Sequence, residues 1–280
     1  MKINPMSSNP KFVAKIESEE ATQKLAVLID ADNAQAAVIE GLLAEIARFG
    51  EASVKRIYGD FTSPASAQWK KVLQKFAIKP VQQFAYTTGK NATDSMMIID
   101  AMDLLYTKRF DGFCIVSSDS DFTGLAMRIK EEGLAVYGFG EQKTPESFRN
   151  SCHKFIFTEV LRPEVPVSTS KPPIMDKHDE KETSTSQTQL SNKKIDTDTV
   201  IFLKEAAEKA SAEDGWAHIG TFGDYLRKLK PEFDSRNYGY KKLSELVKSE
   251  KDIFTVEERP QPNSEQKTLY LRPKPPEGNR

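Results

Sequence analysis

Cysteine is scarce in this 280-residue chain, where Cys114 and Cys152 are the only two. Two thiols do not make a disulfide framework, so stability must come from apolar burial, and a reducing cytosol is the simplest compartment. Histidine is scarce as well, with three in the chain. His153 adjoins Cys152, but His178 and His218 stand far from it, so zinc spacing is absent and no Ser-His-Asp arrangement can be argued. No apolar run reaches the ~18 residues that span a bilayer. The opening MKINPMSSNPKFVAKIESEE lacks the apolar stretch of a signal peptide. Positive charge is not in surplus either: the formal net charge is −1, so any attraction to nucleic acid must come from a local patch. A phosphate-binding G-x-x-x-x-G-K-[ST] loop is missing, and Gly138 and Gly140 form only an isolated G-x-G.

What is present begins at Lys24. Leu25-Ala26-Val27-Leu28-Ile29 is the unbroken apolar run of a strand buried on both faces. Val38, Leu42, Ile46 and Phe49 then recur at helical spacing over 34–48. Further strands are predicted at 54–58, 80–84, 113–116 and 134–139, with a last apolar segment at 155–160. Helices are predicted at 64–76, from Thr93 through SMMIIDAMDLL, at 122–132 ending on Gly133, and near 145–150. Strands alternating with helices imply βαβ crossovers and a mainly parallel sheet. Met96, Met97, Met102 and Met127 read as core packing.

The chain divides by composition. Residues 1–23 are a polar, disordered lead and 24–161 the α/β domain. Residues 162–195, with Pro163, Pro166, Pro172, Pro173 and DEKETSTSQTQLSNKK, are too poor in large apolar groups to offset the entropy of ordering, and read as a disordered linker. Residues 196–272 form a second, small domain, and 273–280 a tail. In the second domain helices are predicted from Val200 to Ala210, Ile219 to Lys230 and Tyr240 to Lys248, with a hairpin pairing 253–257 with 268–271.

The aspartates carry the chemical signal. Asp30 and Asp32 follow the first buried strand, Asp119 and Asp121 follow the fourth, and Asp94 opens the helix before it. In an open parallel sheet ligands bind beyond the carboxyl ends of the strands, and all three clusters fall at that edge. Carboxylates brought together either take up a proton or share a cation, and a hard divalent ion suits oxygen donors. Such an ion can activate water against a phosphodiester. Each acid taken singly has an alternative as a helix cap: Asp94 and Asp121 suit plain N-caps, and Asp32 suits the helix from Ala34. Asp100 and Asp103 share a helix with Asp94 but at offsets that point elsewhere. Asn33, Thr93, Ser117, Ser118 and Lys90 are candidates to touch a phosphate or a metal's water, or else turn and loop residues.

In the small domain, residues 225–242 carry Arg227, Lys228, Lys230, Arg236, Lys241 and Lys242 against Glu232 and Asp234. Tyr225, Phe233, Tyr238 and Tyr240 are interleaved among them. Cations neutralise phosphates and aromatic rings stack on unpaired bases; equally, a domain this small needs its rings in the core. The expected RNA contacts are Arg227, Lys228, Lys230, Arg236, Tyr238, Lys241 and Lys242.

LAVLIDADN, GKNATDSMMIIDAMDLL and FCIVSSDSDFTGLAMRIKEEGLAVYGFG, in that order, resemble the NYN family of the PIN-like nuclease superfamily. The resemblance implies a Rossmann-like α/β/α fold and a ribonuclease site dependent on Mg²⁺ or Mn²⁺. Asp30, Asp94, Asp119 and Asp121 would be its acids, with Asp32 and Asn33 matching the first motif. Trp216, Gly220 and DYLRKLKPEFDSRNYGYKKLSELV resemble the OST-HTH or LOTUS domain. That family has a winged-helix-like fold and is linked to RNA, including structured G-rich RNA; some relatives bind protein partners instead. The two domains recur as a pair. The resulting expectation is a cytoplasmic endoribonuclease with an RNA-binding module and no membrane contact. The rivals are a non-catalytic RNA-binding regulator and a protein-interaction adaptor.

Overall fold

A computed structural model describes residues 22–62, 67–84, 92–162, 195–260 and 267–274. The expected lead, linker and tail lie largely outside the described residues, as does Lys90. The N-terminal domain is built on six strands: β1 (Lys24–Asp30), β2 (Glu51–Gly59), β3 (Lys79–Gln82), β4 (Gly112–Val116), β5 (Ala135–Gly140) and β6 (Lys154–Phe157). They form one sheet in the order β3-β2-β1-β4-β5-β6, with every pairing parallel. The chain runs outward from β1 to β3, crosses back, and runs outward again from β4. The direction therefore reverses between β1 and β4, where Ile29 pairs with Val116.

Helices cover both faces, which is why β1 and β4 read as unbroken apolar runs. On one face Ala26, Leu28, Phe113 and Ile115 pack with Met97 and Ala101 of α3 (Ala92–Tyr106), Ile129 of α4 (Thr123–Glu131) and Phe148 of α5 (Glu146–Ser151). On the other, Leu25, Val27, Ile29, Cys114 and Val116 meet Ile39 and Leu42 of α1 (Ile39–Ile46) and Trp69 of α2 (Ala67–Phe76). Neighbouring residues of β1 thus enter different cores, as a two-residue period demands. The helix expected over 34–48 opens instead as a 3-10 turn, Ala36–Val38. The apolar segment expected over 155–160 is half strand, half 3-10 turn (Thr158–Leu161). It stays apolar because Phe155 and Phe157 enter one core and Ile156 and Val160 the other.

The second domain contains α6 (Thr197–Ala210), α7 (Ile219–Leu229) and α8 (Leu243–Ser249). A three-stranded antiparallel sheet joins them: β7 (Ala217–His218), β8 (Phe254–Pro260) and β9 (Lys267–Pro273), in the order β7-β9-β8. Three helices and a β-wing make a winged-helix-like unit around Leu203, Phe222, Leu226, Leu246, Phe254 and Leu271. The predicted hairpin is present as β8–β9. The two-residue β7 was too short to leave a pattern. The third helix begins at Leu243, not Tyr240, because Gly239 closes the preceding turn at φ +86° and Lys242 is the extended N-cap.

The two domains touch. The Phe155 N–H on edge strand β6 donates to the Pro231 carbonyl at 3.0 Å. Arg236 grips Glu45 of α1 with both terminal nitrogens, at 2.9 and 3.0 Å. Arg149 reaches Glu232 at 3.4 Å.

Gly140, the last residue of β5, tests the packing beneath the carboxyl edge. A Cβ there would lie 2.5 Å from the Ser117 carbonyl oxygen and 2.6 Å from Thr144 Oγ1. Gly140→Ala is expected to lower stability by about 1–3 kcal/mol, the range for overpacking. A thermal melt reads this; an unchanged midpoint would mean the Ser117 segment can yield.

Candidate active site

The end of β1 and the end of β4 are tied by one serine. Ser117 Oγ donates to Asp30 Oδ2 at 2.8 Å and accepts from the Asp119 N–H at 3.1 Å. Asp30 has no exposed surface. It also accepts from Asn33 Nδ2 at 2.7 Å and from the Asp32 N–H at 2.9 Å. Burial, the largest influence, raises its pKa, and those three donors pull it partly back. Asp30 is therefore a held, largely saturated carboxylate.

Three other acids converge above it. Asp94, Asp119 and Asp121 each present a carboxylate oxygen, and these oxygens lie within 4.8 Å of one another. Asp94 is the third residue of α3, so it is not the cap of that helix. The capping role falls to Asp119, whose side chain accepts from the Asp121 N–H at 2.9 Å and opens a 3-10 turn, Ser120–Phe122. Asp30 lies outside this trio of ligand atoms, and Asp32 is exposed beside it. Both still act on Asp94. Its pKa is pushed up to about 6, first by burial and then by the charges of Asp30, Asp119, Asp121 and Asp32. Three carboxylate oxygens at this spacing are the hard donor set that a divalent cation takes.

Of the other candidates, Asn33 and Ser117 spend their polar atoms on Asp30, and Ser118 Oγ accepts from the Glu141 N–H at 2.9 Å. These residues shape the edge. Thr93 is half-buried in the first turn of α3, next to Asp94. Asp100 is engaged elsewhere, bound by Arg56 and the Tyr58 hydroxyl.

In the second domain Arg227, Lys228, Lys230, Lys241 and Lys242 are exposed. Arg227 pairs with Asp224, and Lys230 Nζ sits 4.4 Å from the Phe202 ring centroid. Arg236 is committed to Asp234 and Glu45. Tyr238 is half-buried, its hydroxyl 3.4 Å from Thr199 Oγ1. Sequence reasoning passed over Glu45, only 4% exposed. The signal was there: Val38, Leu42, Glu45 and Phe49 share one helical face, and a carboxylate on an apolar face needs a partner.

Asp94 generates a prediction in metal-free protein. A carboxyl whose folded pKa lies above its unfolded value stabilises the fold most below the unfolded pKa, and loses that contribution as pH rises through the folded pKa. Raising the pH from about 4 to about 7 should therefore cost wild type stability that Asp94→Asn does not lose. Thermal melts of both proteins in a chelator, across that range, check this. Parallel curves would show that Asp94 titrates normally.

The family comparisons agree with this architecture. An NYN domain model matches residues 24–161, and an OST-HTH/LOTUS domain model matches residues 191–265. No curated protein matches the chain. Among solved structures, an uncharacterized protein from Nitrosomonas europaea is 44% identical, over 38% of this chain and 98% of that one, with a TM-score of 0.30. A protein of unknown function from Vibrio parahaemolyticus is 18% identical, over 49% and 94%, with a TM-score of 0.42. A fragment, 175–257, of a Chromobacterium violaceum protein is 31% identical, over 30% and 87%, with a TM-score of 0.23. The chain is an NYN-domain protein in which that domain, of the PIN-like nuclease type, is followed by an OST-HTH/LOTUS domain.

Proposed function

We propose that the protein is a divalent-metal-dependent endoribonuclease whose LOTUS domain captures RNA. One observation carries this reading: carboxylates from α3 and from the turn after β4 meet within 4.8 Å, at the point where the sheet reverses. An Mg²⁺ or Mn²⁺ ion held there would supply Lewis-acid stabilisation of charge on a phosphate oxygen and would lower the pKa of water. Asp94, Asp119 and Asp121 would hold it. Asp30 would act from beneath, positioning Ser117 and Asn33 and adding negative charge to the site. Asp32, exposed at the rim, would add a further oxygen. Thr93 and Lys90 would face the substrate backbone. Arg227, Lys228, Lys241 and Lys242 would neutralise RNA phosphates, and residues 162–195 would join capture to cleavage within one molecule.

A reducing compartment suits two buried, unpaired thiols, and we assign the protein to the cytoplasm. Among the described residues no helix is long and apolar enough to cross a membrane. The rival reading, an RNA-binding regulator without turnover, keeps the same fold, with the acidic edge holding a structural ion or nothing.

Asp119→Asn separates the two. Asparagine caps as well as aspartate, so the turn should survive. Digestion of labelled RNA with Mg²⁺ or Mn²⁺, with a chelator control, is expected to fall on the order of 100-fold or more, the scale of removing one preorganised electrostatic contact. Undiminished metal-dependent cleavage would remove Asp119 from the reaction. Absence of cleavage in wild type with RNA binding intact would favour the regulator.

Ion binding has its own readout. Mn²⁺ should raise the melting temperature, and more at about pH 7.5 than at about pH 5.5, because a proton competes for Asp94 at the lower pH. No shift at either pH would leave the three acids without a cation to share.

A further inference from the structure

Where the LOTUS domain meets the NYN domain, two clefts lie side by side. One is a cavity of about 610 Å³ lined by Phe49, Lys130, Tyr137 and His153 on one side and Arg227, Lys228 and Pro231 on the other. The second, about 270 Å³, adds Arg48, Lys241 and Lys242. Lys154 and Arg227 line both, so the two adjoin along one face of the domain boundary. We propose that this interdomain groove is a composite binding site for unpaired RNA, to which the NYN domain contributes Arg48, Lys130 and Lys154 as phosphate contacts. The proposal rests on the RNA-directed function above and adds a site that lies away from the acids.

Charge is the first argument. Arg236 is consumed by Asp234 and Glu45, and Glu45 also draws on Arg48 at 3.1 Å and Lys154 at 4.0 Å. Two carboxylates there face three cations. Lys130, Lys228, Lys241 and Lys242 have no carboxylate within ion-pair range among the described residues, and Arg227 is balanced by Asp224. The groove is therefore positive although the chain is not. Lys154 adds to this: burial pushes its pKa down from the usual lysine value, while Asp234 and Glu45 hold it up. Placing such an ammonium at a groove wall has a desolvation cost, which a phosphate would offset.

Shape is the second. Phe49 stacks on Tyr137 at 4.5 Å between centroids with the rings 8° apart, and Lys154 Nζ lies 4.9 Å from the Phe49 centroid. These rings, half-buried against the α1 core, line a cationic groove, and single strands combine aromatic contact with charge neutralisation. A volume of about 610 Å³ is the scale of a pocket for one small ligand, which suits unpaired nucleotides and not a duplex.

Position is the third. Arg48 and Phe49 follow the end of α1, Lys130 is near the end of α4, and Lys154 opens β6. Both helices run against the strands, so these residues gather toward the amino edge of the sheet. The carboxylates stand at the opposite edge.

The test uses the full chain and a short, unstructured, fluorescently labelled RNA, titrated by anisotropy at several salt concentrations. Lys130→Gln and Lys228→Gln, one from each domain, should each weaken binding several-fold and flatten the plot of log affinity against log salt by about 0.7 per charge removed. Lys209→Gln, on the exposed face of α6, serves as control and should change neither. Melting temperatures establish that each variant is folded. If Lys228→Gln weakens binding but Lys130→Gln leaves affinity and slope unchanged, the composite groove is wrong while capture by the LOTUS domain stands. An equal loss in Lys209→Gln would reduce the effect to overall charge and overturn the site. Binding unaffected by all three would leave the groove to a protein partner or to nothing. Failure of wild type to bind RNA at all would end both this inference and the function it rests on.

Discussion

Asp30 is a buried carboxylate at the reversal point of the sheet, and everything around it answers to that charge. Ser117, Asn33 and the Asp32 N–H supply it with donors. Through Ser117 the end of β1 is fastened to the turn after β4, so Asp119 is positioned by the same contact that satisfies Asp30. A negative charge held below raises the cost of ionising Asp94 above, which lifts its pKa. The site is thus arranged around like charge: one acid is fixed and saturated by hydrogen bonds, and three more bring carboxylate oxygens within 4.8 Å of one another.

Much of this was legible in the sequence, for a definite reason. Asp30 and Asp119 end apolar runs so strong that their strands could hardly lie elsewhere. A strand buried on both faces also implies a parallel sheet whose carboxyl edge gathers whatever follows each strand. Asp94 required only that its helix start near Thr93. Sequence could not rank the acids. That Asp30 is occupied by hydrogen bonds while Asp94, Asp119 and Asp121 are grouped depends on strand order, which sets Val116 beside Ile29 and so brings Ser117 to Asp30. Asp32, Asp94 and Asp121 each suit a cap by sequence, since each precedes helical sequence. The backbone turns two residues before Asp121, and the cap there is Asp119.

The second domain illustrates a different obstacle. Arg236 looked like one more member of a basic stretch because its partner Glu45 is 191 residues away and in another domain. Tyr238 reads in the sequence as an RNA contact but packs, half-buried, against the small core, together with Tyr225, Phe233 and Tyr240, as a domain of this size requires. Local composition reports how much charge a segment carries. It does not report how much of that charge is already spent, and contacts between domains are where the difference is greatest.

The Pro231 carbonyl occupies the outer side of β6 as a single rung of an unfinished ladder. Proline on a neighbouring segment offers an acceptor and no donor, so the pairing stops there and no further strand is templated. Separating the domains would strip that stopper away and at the same time take Arg236 from Glu45, leaving it Arg48 and Lys154. The N-terminal domain taken alone would therefore carry a raw sheet margin beside a carboxylate that has lost its bidentate partner. Self-association through that margin would be a property of the fragment and not of the protein.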